Sequence, residues 1–202
     1  MSGSTLLDAG LAPVALVLAV ARVFLVAFLT GLAVKLMDDA LDVEIDAARG
    51  YRNWAARLGR ATTPYALVLA FVAATLQTRA ALALFLAAYA LGMGRNAGEW
   101  LPTGLPAWAE TALALAFSAV FSGARVAVAA LAILWAVQAA DDWMDRHEDG
   151  RWESPSLRWL PLGRAVLGAL LALALDPVLS LCTIPAALAV WTLTRKQEVH
   201  EA

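Results

Sequence analysis

Apolar residues run through this chain in long blocks, at roughly 12–36, 63–77, 80–94, 106–122, 124–140, 164–175 and 177–194, with short polar segments between them. Blocks of this length predict helices, and several fall short of the roughly 20 residues that a perpendicular bilayer span requires. As one helix, residues 63–94 would reach about 48 Å with Arg79 in the middle, so the pattern predicts a helical hairpin there. Asp176-Pro177 divides the last pair, because proline withholds a helical N–H and pushes its predecessor out of the helical region. Ser122-Gly123 separates 106–122 from 124–140, and RNAGEWLPTGL, residues 95–105, reads as the loop between two halves. The expectation is an all-α, polytopic membrane bundle of about seven transmembrane helices, a single membrane domain over 1–202.

Composition agrees with that pattern. Hydrophobic residues make up 61% of the 202 positions, charged ones only 16%, and the mean hydropathy is +0.69, values that belong to the bilayer rather than to soluble domains. MSGSTLLDAG has no Lys or Arg ahead of the first apolar block, which runs straight on into an acidic motif and so reads as a first span rather than a cleaved leader. Cys182 is the lone cysteine, which rules out an intrachain disulfide. A net charge of −2 offers no basic excess for nucleic acid, and the arrangement of charge says more. With the first span running inward, the inner segments hold Lys35, Arg49, Arg52, Arg57, Arg60, Arg95, Arg146, Arg151, Arg158, Arg164, Arg195 and Lys196. The outer ones hold Arg22, Arg79 and Arg125. The expectation is an integral protein of a bacterial or archaeal-type plasma membrane, with those inner segments, by the positive-inside rule, in the cytoplasm.

Of ten aspartates, eight lie in MDDALDVEID (37–46) and ADDWMDRHED (140–149), which share the pattern DDxxDxxxD. One offset of 103 residues relates Asp38 to Asp141, Asp39 to Asp142, Asp42 to Asp145, Asp46 to Asp149 and, in the apolar part, Arg22 to Arg125. The chain therefore reads as internal repeats over approximately 12–94 and 116–194. Each is a long helix descending to an acidic end, then a basic loop and a short helical hairpin. Both motifs emerge on the cytoplasmic side, so the repeats are parallel, related by an axis along the membrane normal, with a site shared between them.

At 100° per residue, Asp38, Asp39, Asp42 and Asp46 fall within an arc of about 100°, one acidic stripe. Its charges repel each other and the negative end of the helix dipole, so the arrangement calls for a cation. Gly50 and Gly150 read as helix stops just past the two stripes. Oxygen-only ligands select a hard ion, Mg²⁺, which shares its remaining positions with phosphate oxygens. The candidate ligands are Asp38, Asp39, Asp42, Asp46, Asp141, Asp142, Asp145 and Asp149. Arg49, Arg52, Arg57 and Arg60 behind the first motif, and Arg151, Arg158 and Arg164 behind the second, suit the phosphates, although topology alone also demands arginines there. Acid, metal and arginine together describe a diphosphate site.

Other polar residues have plainer readings. Arg22 and Arg125 lie about 24 Å of helix from Asp38 and Asp141 and are expected to snorkel to the outer headgroups. Trp54, Trp100, Trp108, Trp152 and Trp159 follow the interfacial pattern, which leaves Trp143 as the tryptophan expected to line a pocket. His147 and His200 are too isolated for a metal site of their own.

DDALDVEID and DDWMDRHED, at the inner ends of helices in parallel halves, resemble the motifs of the UbiA superfamily of intramembrane prenyltransferases, typically NDxxDxxxD and a DxxxD-type sequence. Aspartate stands where that family has asparagine, and the family's first and last spans have no counterpart among the apolar blocks. The resemblance implies an all-α fold with the motifs facing each other across a cavity. It also implies Mg²⁺ bridging them to a prenyl diphosphate, and transfer of the prenyl group to a membrane-soluble acceptor. Asp38, Asp42, Asp46, Asp141, Asp145 and Asp149 are then the catalytic set, holding metal against the leaving group while the apolar cavity shelters an allylic cation. Cyclisation or loss of diphosphate to water, as in a related lyase, uses the same start.

Rival readings are a CDP-alcohol phosphotransferase, a divalent-cation transporter and a non-catalytic lipid-binding protein. The first resembles a single DxxDG motif, whereas Val43 follows Asp42 and the pattern here is duplicated. Transporters keep ionisable groups near the midplane, whereas these acids gather at one surface. Short helices in thin halves also point to a homo-oligomer that seals the cavity.

Overall fold

The computed structural model describes residues 3–49, 53–148 and 159–195, with side chains over 13–48, 53–144 and 159–194. Its elements are α1 (Gly3–Arg49), α2 (Trp54–Leu58), a 3-10 turn (Gly59–Ala61), α3 (Thr62–Gly94), α4 (Ala107–Ser122), α5 (Ala124–Glu148), α6 (Leu160–Leu175) and α7 (Pro177–Arg195). The β pairing among the described residues is an isolated bridge between Trp100 and Pro106. Four segments, Pro13–Ala48, Trp54–Gly94, Ala124–Met144 and Pro177–Thr194, are long and apolar enough to cross a membrane, and α4 and α6 are shorter apolar helices. This all-helical chain fits an integral membrane protein, in which helices satisfy their own backbone polar groups.

Sequence breaks recur as backbone breaks. Gly123 ends α4 with φ +91, a conformation open to glycine. Asp176 ends α6 at φ −144, ψ 91, and its Oδ1 accepts the Leu179 N–H at 3.0 Å, capping α7. Inside α3 the chain leaves the helical region at one residue, Gln77 (φ −156, ψ 91), two positions before Arg79. Helix α1 extends past both ends of its apolar block and carries the whole first motif to Arg49.

Arg22 and Arg125 do not simply reach for headgroups. The Arg22 Nε–H donates to the Leu76 carbonyl and the Arg125 Nε–H to the Leu175 carbonyl. Each carbonyl sits immediately before one of the two breaks, where the regular helical bonding pattern is interrupted and an outside donor is needed. Both exposed arginines thus serve as caps delivered from a neighbouring helix.

Small residues make the interhelical contacts. Val26, Ala33, Ala73, Ala83, Ala129, Ala130, Ile133 and Ala172 are fully buried, while Leu16, Phe71, Val120, Leu170 and Leu181 face outward. In lipid an apolar side chain gains little by leaving its surroundings, so close backbone approach over Ala and Gly does the packing. α1 packs on α3 and α7, and α5 packs on α6, α3, α4 and α7. Among the glycines the tightest surroundings are at Gly168 of α6, where an added Cβ would lie 2.8 Å from the Ala132 carbonyl oxygen and 3.0 Å from Ala136 Cβ of α5.

Gly168→Ala should therefore destabilise the detergent-solubilised protein by about 1–3 kcal/mol, the range for overpacking. Gly163→Ala, in the same helix with open space around it, should be neutral or slightly stabilising. Thermal unfolding followed by circular dichroism decides: equal Tm values for the two variants would show that α6 does not approach α5 this closely.

Candidate functional site

A cavity of about 900 Å³ lies among α1, α3, α5, α6 and α7. Thr30, Gly31, Val34, Lys35 and Asp38 line it from α1, at the spacing that returns side chains to one face of a helix. Ile133, Leu134, Val137, Gln138 and Asp141 line it from α5, and each stands 103 residues after its counterpart on α1. Ala88 and Gly92 of α3, Ala165 and Ala169 of α6, and Ile184, Leu188 and Trp191 of α7 close the wall. One end is polar, formed by Lys35, Asp38, Asp39, Asp46, Trp54, Arg95, Gln138 and Asp141.

The organising residue at that end is Asp39, which is 4% exposed. Its Oδ1 lies 2.8 Å from Lys35 Nζ, and its Oδ2 accepts the Trp54 N–H at 3.0 Å. Asn53, equally buried, donates its amide to the Asp39 carbonyl at 2.7 Å and to Asp46 Oδ2 at 2.8 Å. The Asn53 Oδ1 accepts the Ala56 N–H at 3.1 Å and so caps α2. These bonds fold the chain that follows α1 back onto the last turns of α1.

Both ends of the α2–α3 segment reach this polar end. Trp54 bonds to Asp39, and Arg95, the residue after α3, places Nη2 3.4 Å from Asp142 Oδ1. A 33-residue helix could not do so if straight, so Gln77 is the apex at which α3 reverses, as the hairpin reading expects. At the same end the buried Glu110 carboxylate accepts the Tyr89 and Thr103 hydroxyls, tying the 95–106 loop to α3 and α4.

The expected single acidic stripe divides. Asp38, Asp39 and Asp46 line the cavity and half-buried Asp42 does not; Asp141 lines it, while Asp142 faces Arg95. An arc of about 100° is wide enough for one edge to face a cavity and the other a neighbouring element. Asp145 belongs to α5 with its side chain outside the described residues, and Asp149 lies outside them altogether. Among the described residues no three His, Cys, Asp or Glu side chains gather around one point. The oxygen donors that face the cavity are of the hard type that suits Mg²⁺.

The cations are distributed differently from the expectation. Arg57, Arg60 and Arg164 are exposed and do not line the cavity; the side chains of Arg49, Arg52, Arg151 and Arg158 lie outside the described residues. Lys35 and Arg95 line it instead. The signal for Lys35 was its place one helical turn before Asp38 on the same face. Trp54 and Trp191, rather than Trp143, are the tryptophans at the cavity, and the Trp54 Nε1 is buried without a hydrogen-bond partner. Trp100, Trp108 and Trp159 are exposed, as interfacial residues would be, and Trp152 lies outside the described residues.

Asn53→Ala removes a helix cap and two bonds to the acidic segment, so it should lower stability by about 1–2 kcal/mol. Arg60→Ala, at an exposed position in the adjoining turn, should change it by no more than about 0.5 kcal/mol. Denaturant titration in a fixed detergent measures both, and an Asn53→Ala variant as stable as the parent would mean that this segment is not held through Asn53. No family model matches the chain, and neither does any curated protein or solved structure.

Proposed function

We propose that this chain is an intramembrane enzyme of the prenyltransferase type, taking an isoprenoid diphosphate at the cytoplasm-facing ends of two parallel repeats. One observation carries the reading: five pairs of positions, each 103 residues apart, line a single cavity and end in Asp38 and Asp141. The paired breaks at Gln77 and Asp176, each beside a carbonyl held by Arg22 or Arg125, support the same repeat. Counting the two arms of α3 separately, the helices α1, α3, α4, α5, α6 and α7 make seven spans.

In this reading Asp38 and Asp46 of the first motif and Asp141 of the second, the members of the expected set seen at the cavity, would hold Mg²⁺. Those carboxylates would place Mg²⁺ where it could neutralise charge on a diphosphate leaving group. Lys35 and Arg95 add positive charge at the same end, while Asp39 and Asp142, engaged with those two cations, position them. The allylic C–O bond breaks with its electron pair leaving on the diphosphate. The allylic carbon then bonds to an acceptor dissolved in the membrane, which gives up a proton. The apolar wall keeps water from the cation meanwhile. A volume of about 900 Å³ stands at the upper end of the range for ligand pockets, enough for a prenyl tail and an acceptor together.

Orientation is tested with single cysteines in place of Arg60 and Glu99 in a Cys182→Ser background. Both should react with an impermeant thiol reagent only from the cytoplasmic side; labelling from opposite faces would mean that α3 crosses once and that the repeats are not parallel. For the site, Asp38→Asn and Asp141→Asn should each remove most of the thermal stabilisation that Mg²⁺ with farnesyl diphosphate gives, about 2.7 kcal/mol at a hundredfold excess over Kd. Without ligand each should be as stable as the parent or slightly more so, because repulsion between acids is relieved. The double variant should respond no worse than either single one, since both serve one cluster. Additive losses in calorimetry would mean two separate sites. Mass spectrometry of lipid carried through purification separates the classes: a prenyl diphosphate supports transfer, a cytidine-bearing phospholipid precursor the CDP-alcohol reading.

A further inference from the structure

Among the polar groups at the cavity to which the proposed chemistry gives no role, Thr30 is set deepest in the apolar wall of α1. Thr30 is 3% exposed, lines the cavity, and its Oγ1 has no hydrogen-bond partner among the described residues. A threonine inside a helix ordinarily turns its hydroxyl onto the carbonyl three or four residues earlier. Thr75, Thr78, Thr183, Thr192 and Thr194 do so here, at 2.7–3.1 Å, whereas Thr111 of α4, away from the cavity, has a buried hydroxyl without a partner as Thr30 does. Thr183 is the informative comparison, because it lines the same cavity and is satisfied.

Nor does packing require a hydroxyl at Thr30. The position 103 residues later is Ile133, which lines the cavity from α5 and is fully buried. An unpaired hydroxyl at an apolar wall is unfavourable, and an aliphatic side chain of similar shape would relieve it. Thr30 stands two helical turns, about 12 Å along α1, from Asp38. A hydrocarbon tail passing that point would leave the hydroxyl unpaired.

We infer that Thr30 is a ligand contact: its hydroxyl bonds an ether, ester, carbonyl or hydroxyl oxygen of a cavity-bound amphiphile, about 12 Å inside the charged end at Asp38 and Asp141. This rests on the cavity reading proposed above and narrows it. A prenyl chain is hydrocarbon beyond its diphosphate, so in a transfer reaction the oxygen belongs to the acceptor. If a single lipid fills the site, the oxygen lies within its own chain. The chemistry at Thr30 is the same.

Two calorimetric arms in nanodiscs separate these sources. The first compares dodecyl phosphate with analogues of equal length bearing one ether oxygen at successive positions. The second supplies Mg²⁺ and inorganic diphosphate for the charged end, then compares decanol with decane. The parent should prefer the oxygen-bearing probe about tenfold in one arm, the scale of one hydrogen bond. Preference in the first arm identifies a single lipid, and preference in the second an acceptor. Thr30→Val should abolish that preference while binding the oxygen-free probe as before, and Thr30→Ser should keep it. A preference that survives Thr30→Val, or none in either arm while dodecyl phosphate still binds, overturns the role of Thr30 alone. Failure of every probe to bind overturns the cavity reading and this inference with it.

Discussion

Asp39 carries a carboxylate almost out of solvent's reach at the end of an apolar helix, and a charge so placed has to be matched. Lys35 supplies the opposite charge one turn away, and the Trp54 N–H supplies a hydrogen bond from beyond the end of α1. Asn53 adds bonds to the Asp39 carbonyl and to Asp46, and caps α2 with its remaining oxygen. Matching this one charge therefore reverses the chain and lays α2 against α1. Helix α3 starts from there, and with it comes one wall of the cavity.

The far end of the bundle is held by a different device that solves a similar problem. Where α3 turns at Gln77 and where α6 gives way to α7 at Asp176, carbonyls lose their helical partners. Arg22 and Arg125 reach across from α1 and α5 to bond Leu76 and Leu175. Between the two ends alanine and glycine allow close contact, as at Gly168. The same small residues, such as Ala88, Ala165 and Ala169, leave the space enclosed among the helices open.

That space has two walls drawn to one plan with different contents. Val34 faces it from α1 as Val137 does from α5, and Asp38 is matched by Asp141. The position 103 residues after Lys35 is Gln138, however, and that after Thr30 is Ile133, so most of the polar lining residues belong to the first wall. In the proposed reading the shared carboxylates serve the diphosphate, and the unshared lysine and threonine distinguish where its head and its companion lie.

The sequence by itself determined the helical class, the apolar lengths that fit a membrane, the breaks near Gln77, Gly123 and Asp176, and the 103-residue spacing of the motifs. These follow from local chain properties and from the solvent: apolar length, proline and glycine geometry, and the need to satisfy backbone groups within a helix. Only the tertiary structure decided which carboxylate faces what. Asp38 and Asp39, like Asp141 and Asp142, differ by one residue and so by 100° of helix, and the elements packed alongside decide which of those directions is the cavity. Proximity in sequence likewise pointed to Arg57, Arg60 and Arg164, yet Arg95 is the arginine seen at the cavity, because the reversal of α3 returns its distant end to the first motif. Arg22 and Arg125 had headgroups and carbonyls equally within the reach of a long side chain, and the position of a neighbouring helix break, which no local pattern on α1 or α5 encodes, selected the carbonyls.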